Sequence, residues 1–208
     1  MKLFGGPKVG GLIKSYRLDK WWRETLTSSE RDSIAKRFPD AVNGSVPAEQ
    51  AGSIAQFLWS WATHFKKAPE DRVIARKMLN LAVEQARVQK RILDEHFALQ
   101  GLIEVWYRDR DLLPEAFDQA IAACEAQIAI AAEAARAFRH EYKNHPMPVP
   151  RTHRGYEQLR IIREKQKRYD DAIALALDKQ RTGWDEDVSE YVAEMNHKKS
   201  KLSNEAKS

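Results

Sequence analysis

The chain has 208 residues, of which 43% are hydrophobic and 31% charged, a composition that excludes a disordered polymer and supplies a core of ordinary size. No run approaches the ~20 consecutive apolar residues of a membrane span, and residues 1–11 lack the apolar centre of a secretory signal. The lone Cys124 removes a disulfide framework and a thiol-based zinc cluster, so the expectation is a cytoplasmic protein with no membrane partner, no metal and no cofactor. Of the net charge of +5, residues 197–208 carry more than half, with Lys198, Lys199, Lys201 and Lys207 against Glu205. The remaining body is close to neutral, a thin electrostatic footprint for nucleic acid.

In chain order, Pro and Gly cluster at residues 5–11, 39–52 and 144–155, and the stretches between them have helical spacing. Leu12, Ile13, Tyr16, Trp22 and Leu26 fall near one side of one or two short helices. Thr27 with Glu30 reads as a capping box ahead of a helix that ends near Phe38-Pro39, and residues 40–51 are a loop. Ile54, Phe57, Leu58, Trp61 and Phe65 recur at three and four residues, one wide apolar stripe. Pro69 suits the first turn of the next helix, whose buried face is Ile74, Met78, Leu81 and Ala82. A helix from Ile92 to Tyr107 follows. An alanine-rich helix then starts at Pro114, and the residues leave open whether it runs unbroken to Tyr142 or bends near Ile130. Pro146, Pro148 and Pro150 force an extended crossing. Gly155–Gln166 and Tyr169–Gln180 form a second helical hairpin, and Asp185 is placed to cap a last helix with the stripe Val188, Tyr191, Val192 and Met195.

The fold class is all-α: antiparallel helical hairpins stacked as a short, irregular α-solenoid, because a lone hairpin cannot bury its apolar face. The division is a flexible leader at 1–11, one helical-repeat domain at 12–196 and a basic disordered tail at 197–208. Phe57, Leu58, Ile103, Tyr107, Ala120, Leu159, Ala172 and Leu175 are the expected core. Small alanines at three- and four-residue spacing, Ala116, Ala120 and Ala123 in one unit and Ala172 and Ala176 in the other, admit close helix approach.

Lys165-Gln166, Tyr169 and Ala172-Ile173, together with Tyr107 followed by Ala116, Ala120 and Ala123, resemble the inter-helix turn and small-residue pattern of the tetratricopeptide repeat. The two units are offset by 56 residues, from Ala116 to Ala172, against a family period of about 34, which implies an extra helix or long loop between them. The run His153 to Leu159 with Ile161-Ile162 and Glu164-Lys165-Gln166 is similar to a segment of uncharacterised bacterial repeat proteins. The resemblance implies a groove lined by Ala98, Gly101, Val105, Arg108 and Asp109 in one unit and Arg154, Glu157, Ile161, Glu164 and Lys165 in the next. The family's Lys and Asn clamp for a C-terminal carboxylate has no counterpart at Gly101, Val105, Glu157 and Ile161.

Residues with chemical potential read more simply as structure. His140-Glu141 begins like a zinc-hydrolase helix, but His145 misses the one-turn register. His140, His145 and His153 are expected as solvated loop histidines. Gly5 to Gly11 lacks the strand and the Gly-Lys-Ser or Gly-Lys-Thr ending of a phosphate loop. Asp94, Glu95 and His96 are consecutive and diverge on a helix, and Cys124 is expected as a buried, inert thiol. Trp59 and Trp61, two apart, cannot both face one core. Arg154, Arg160, Arg163, Lys165, Lys167 and Arg168 are offset by Glu157, Glu164, Asp170 and Asp171, the pattern of a salt-bridged face.

The function expected is therefore a non-catalytic scaffold binding an unidentified protein or peptide on its concave face, and not an enzyme. The alternative is a nucleic-acid-associated regulator using the Arg-rich helix 154–168 and the basic tail.

Overall fold

Local signals decide where the helices begin. Thr27 Oγ1 accepts from the Glu30 N–H at 3.3 Å while a Glu30 carboxylate oxygen accepts from the Thr27 N–H at 2.7 Å, so the capping box is complete and α3 (Ser28–Arg37) starts on it. Ser53 caps α5 (Ile54–Ala62) through the Gln56 N–H at 2.9 Å, and Pro69 opens α6 (Pro69–Val88). The computed structural model describes residues 9–44, 52–184 and 187–205, and among these there are twelve α-helices, one 3-10 turn at Thr63–Phe65 and no strand. The remaining helices are α1 (Gly11–Ser15), α2 (Asp19–Glu24), α4 (Pro39–Asn43), α7 (Ile92–Arg108), α8 (Ala116–Ala129), α9 (Ala131–Glu141), α10 (Arg154–Lys165), α11 (Tyr169–Arg181) and α12 (Ser189–Glu205).

The chain divides into two compact units, residues 1–86 and 87–208, instead of the one domain expected over 12–196. In the first, α1 packs on α4 and α3 on α4. Gly11 makes that possible. Its φ of +51° is the left-handed region, and a Cβ there would stand 2.2 Å from the Ala41 carbonyl oxygen. The end of the expected leader is thus packed structure, whereas residues 1–8 lie outside the described residues. Trp61 is buried and stacks on Phe38 at 4.3 Å and 7°, and Phe57 tilts against it at 4.2 Å, while Trp59 stays half-buried. Lys77 to Glu30 at 2.8 Å and Arg37 to Asp71 at 2.6 Å tie α6 to α3.

In the second unit, α7 pairs with α8 and α10 with α11. The α10–α11 turn is closed by Lys167 in the left-handed region, φ +58°, with the Arg168 N–H donating to the Arg163 carbonyl at 2.8 Å. Helix α10 also packs on α8 and α7, and α12 on α11. The alanine-rich stretch does bend: α8 stops at Ala129, Ile130 has φ −99° and ψ 3°, and α9 turns back against α7. That places one additional helix in the space which the 56-residue offset left open. Residues 197–205, expected as disordered, continue α12 to Glu205, because Lys198 and Lys199 find carboxylates on Glu164 and Asp170. Residues 206–208 and the Asp185 cap lie outside the described residues.

Of the expected core, Phe57, Leu58, Ile103, Ala120, Leu159 and Ala172 are buried, while Tyr107 and Leu175 are half-buried. The Arg110 guanidinium lies over the Tyr107 ring, 4.5 Å from its centroid. Ala120 is completely buried on α8. Ala120→Leu is therefore expected to overpack its helix contact and lower unfolding free energy by about 1–3 kcal/mol in urea titration. An unchanged midpoint would place Ala120 outside the packed interface.

Candidate functional site

The strongest polar construction in the second unit is internal. His153 precedes α10, and its Nδ1 accepts from the Tyr156 N–H at 3.4 Å, so the ring is the N-cap of the helix and is completely buried. It was expected on a solvated loop. Its neighbours are His96 at 5.1 Å, Tyr156 at 4.8 Å and Trp184 at 4.5 Å between ring centroids. His96 stacks on Trp184 at 5.2 Å and 15°, and the Trp184 indole N–H donates to the Ala131 carbonyl at 3.1 Å. Tyr156 hydroxyl donates to Asp178 at 2.5 Å and lies 3.2 Å from the Thr182 hydroxyl. Burial alone holds His96 down at about 4, and burial together with the neighbouring imidazole pushes His153 well below the ordinary range. Both rings are neutral at physiological pH.

Because His153 Nδ1 accepts a hydrogen bond, its proton resides on Nε2, a buried donor with no hydrogen-bond partner, and His96 Nδ1 is likewise buried and unpartnered. A protonated Nε2 is not a metal ligand. His140 and His145 are exposed, with His145 turned onto the Met147 backbone at 2.8 Å, so the three histidines do not converge. Among the described residues no group of three His, Cys, Asp or Glu side chains is arranged to hold a metal ion. Cys124 is fully buried and its thiol is pushed up to about 12 by desolvation, which keeps it protonated. Asp94 and Glu95 pair with Arg91 and Arg87, the latter at 2.6 Å, and do not face His96 as a catalytic group.

The expected groove residues separate into two sets. Along α7 and its C-cap, Ala98, Gly101, Val105 and Asp109 are buried, and Arg108 alone of this set is exposed. On α10 the five positions share one side of the helix. Arg154, Ile161 and Lys165 are exposed, Ile161 by 44%. Glu157 is half-buried, accepting from the His153 N–H at 3.2 Å and facing the buried Lys179 at 3.5 Å. Glu164 is engaged by Lys198 of α12 at 2.5 Å. An open cleft of 430 Å³ between α10 and α11 has Leu159 and Leu175 as its apolar floor and Arg163, Arg168, Asp171 and Asp178 around it.

Sequence reasoning missed Gln127 and Trp184 as organising side chains. The available signals were Gly155 two residues after a histidine and the Gly183-Trp184 pair just past the end of a helix. No protein-family model, no curated protein and no solved structure matches the chain.

Two buried neutral histidines fix the acid behaviour. Below about 6.5 the unfolded chain binds protons that the native rings refuse, so stability falls as pH falls from 6.5 toward the depressed native values. From pH 7 to pH 5 the loss is about 2 kcal/mol for each histidine, read as a shift of the urea midpoint. His96→Phe, which retains a ring over Trp184, should remove about half of that pH dependence. A midpoint constant between pH 7 and 5 would mean that the rings are protonated in the folded protein.

Proposed function

We propose that this protein is a non-catalytic scaffold that binds a protein or extended peptide along the exposed side of α10, within a short tetratricopeptide-like stack. The observation that carries the reading is the stripe Arg154, Ile161 and Lys165, exposed on a helix whose opposite side is locked by Gly155, Tyr156 and Leu159. A rigid helix presenting one exposed isoleucine between two cations is suited to a peptide with an apolar anchor and acidic flanks. The packing of α10 on both members of the preceding hairpin, and of α12 on α11, supports the stacked arrangement. The α7 half of the expected groove is not part of this surface.

The pairing of the basic residues favours a peptide over a nucleic acid. Lys198, Lys199, Arg163 and Arg168 each face a carboxylate, on Glu164, Asp170, Glu125 and Asp171 respectively. Cations already neutralised release few counterions from a phosphate backbone. No described helix is long and apolar enough to cross a membrane.

The test is affinity capture from a host lysate, eluted with stepped salt, comparing the native chain with Arg154→Glu/Lys165→Glu. Both side chains are exposed, so the double reversal should leave the circular dichroism spectrum unchanged and abolish capture of the peptide partner. Capture that survives the reversal, or that is lost steeply between low and physiological salt together with bound nucleic acid, overturns the reading.

A further inference from the structure

Helix α12 is seated by few apolar anchors and many exposed charges. Met195 is its one fully buried apolar residue, Val188 is buried just ahead of its first turn, and Tyr191, Val192 and Leu202 are half-buried. Lys198 reaches Glu164 at 2.5 Å and Glu194 at 2.7 Å, and Lys199 reaches Asp170 at 2.6 Å. The Arg160 guanidinium lies 4.2 Å from the centroid of the Tyr191 ring. Such pairs are weak in water and screened by salt; the Asp170 side chain, for one, is 71% exposed. The Tyr191 hydroxyl is buried without a partner, which costs the seat part of what the ring gains. By these measures α12 belongs to the low-stability end of the second unit, in contrast to the hydrogen-bonded core around Trp184.

What α12 covers adjoins the proposed binding stripe. Arg160 and Glu164, four apart on α10, lie beneath Tyr191 and Lys198, and Ile161 borders them in the open. Asp170 at the start of α11 extends the acidic edge to Lys199.

We propose that the face carrying Arg160, Glu164 and Asp170 is a docking surface for a basic amphipathic helix of a partner protein, and that α12 is its resident, displaceable occupant. The partner helix must reproduce the chemistry of the seat: an aromatic residue over Arg160, an apolar residue one turn on, and a lysine pair a further turn along. This goes beyond the reading at Arg154 and Lys165, adding a second surface on α10 and α11 for a partner of opposite charge. The lysines decide the outcome, because the acceptor carboxylates are retained when α12 leaves.

The test uses the full chain and a labelled peptide of residues 187–205 as the probe. In Lys198→Glu/Lys199→Glu the α12 amides should exchange at least tenfold faster than in the native chain, while those of α10 remain protected. This variant should bind the native-sequence peptide at least tenfold more tightly than the native chain does, with affinity falling as salt rises. A peptide carrying the same two Lys→Glu changes should bind neither. In Glu164→Lys/Asp170→Lys the pattern should invert, the charge-reversed peptide binding and the native one failing. Native-like protection of α12 in the first variant, or a released α12 with no gain in peptide affinity, overturns the proposal. Neither result touches the Arg154 and Lys165 stripe, whose own capture experiment stands apart.

Discussion

The arrangement of the second unit depends on the amide of Gln127. Its Nε2 donates to the His96 carbonyl at 2.9 Å and its Oε1 accepts from the Gly155 N–H at 2.6 Å, so one completely buried side chain on α8 joins α7 to the first turn of α10. The contact requires glycine. A Cβ at position 155 would lie 2.9 Å from the Cys124 carbonyl oxygen and 3.0 Å from Gln127 Oε1, and it would push the helices apart at the point where the amide spans them. Since the Gly155 N–H is one of the first-turn donors that α10 cannot satisfy itself, the same bond completes the helix end and sets its position. His153, two residues earlier, satisfies the next donor, and its ring becomes buried as a consequence.

Much of the helix order was legible because it is written in local terms. The Thr27 and Glu30 box, the prolines at 69 and 146–150, and the three-and-four spacing of α5 and α6 act within one or two turns of themselves. The aromatic-then-alanine spacing likewise found the two hairpins. What escaped is non-local. Gln127 sits in an alanine-rich helix where a glutamine is as ordinary on the surface as in the core, and only the approach of α10 reveals its bonds. Trp184 is fixed by Ala131, 53 residues away. The bend near Ile130 was one of two courses the sequence left open, and with no proline or glycine to mark it, the packing of α9 on α7 decides between them. The α7 positions Ala98, Gly101 and Val105 were assigned to a groove through family resemblance, yet their small side chains suit close packing at least as well, and there they are buried. On α10, Arg154 and Lys165 are long and charged, which kept the corresponding assignment at the surface.

The lysines near the C-terminus illustrate the same limit for charge. Counted along the sequence, residues 197–208 are a basic run, and a run of like charge reads as disordered. In three dimensions, Glu164 and Asp170 come from a hairpin some thirty residues earlier and convert the run into the ionic margin of a helix. Net charge therefore overstates the cationic surface of this protein.

The contrast between the two ends of the second unit bears on the proposed scaffold function. Around Trp184, indole, tyrosine hydroxyl and glutamine amide all find partners, and the unpartnered imidazole nitrogens of His96 and His153 are retained at a cost that neutral pH keeps tolerable. That half of the unit holds α10 in a fixed orientation. Under α12 the contacts are aliphatic anchors and screened ion pairs, which exchange readily for similar groups on another chain. A surface that has to accept a partner needs both properties on adjacent sides of one helix: a rigid side, so that little ordering entropy is lost on binding, and a side whose existing contacts are weak enough to be replaced. Helix α10 has Tyr156 and Leu159 on the first and Arg160 and Glu164 on the second, so its own helical period separates the two requirements.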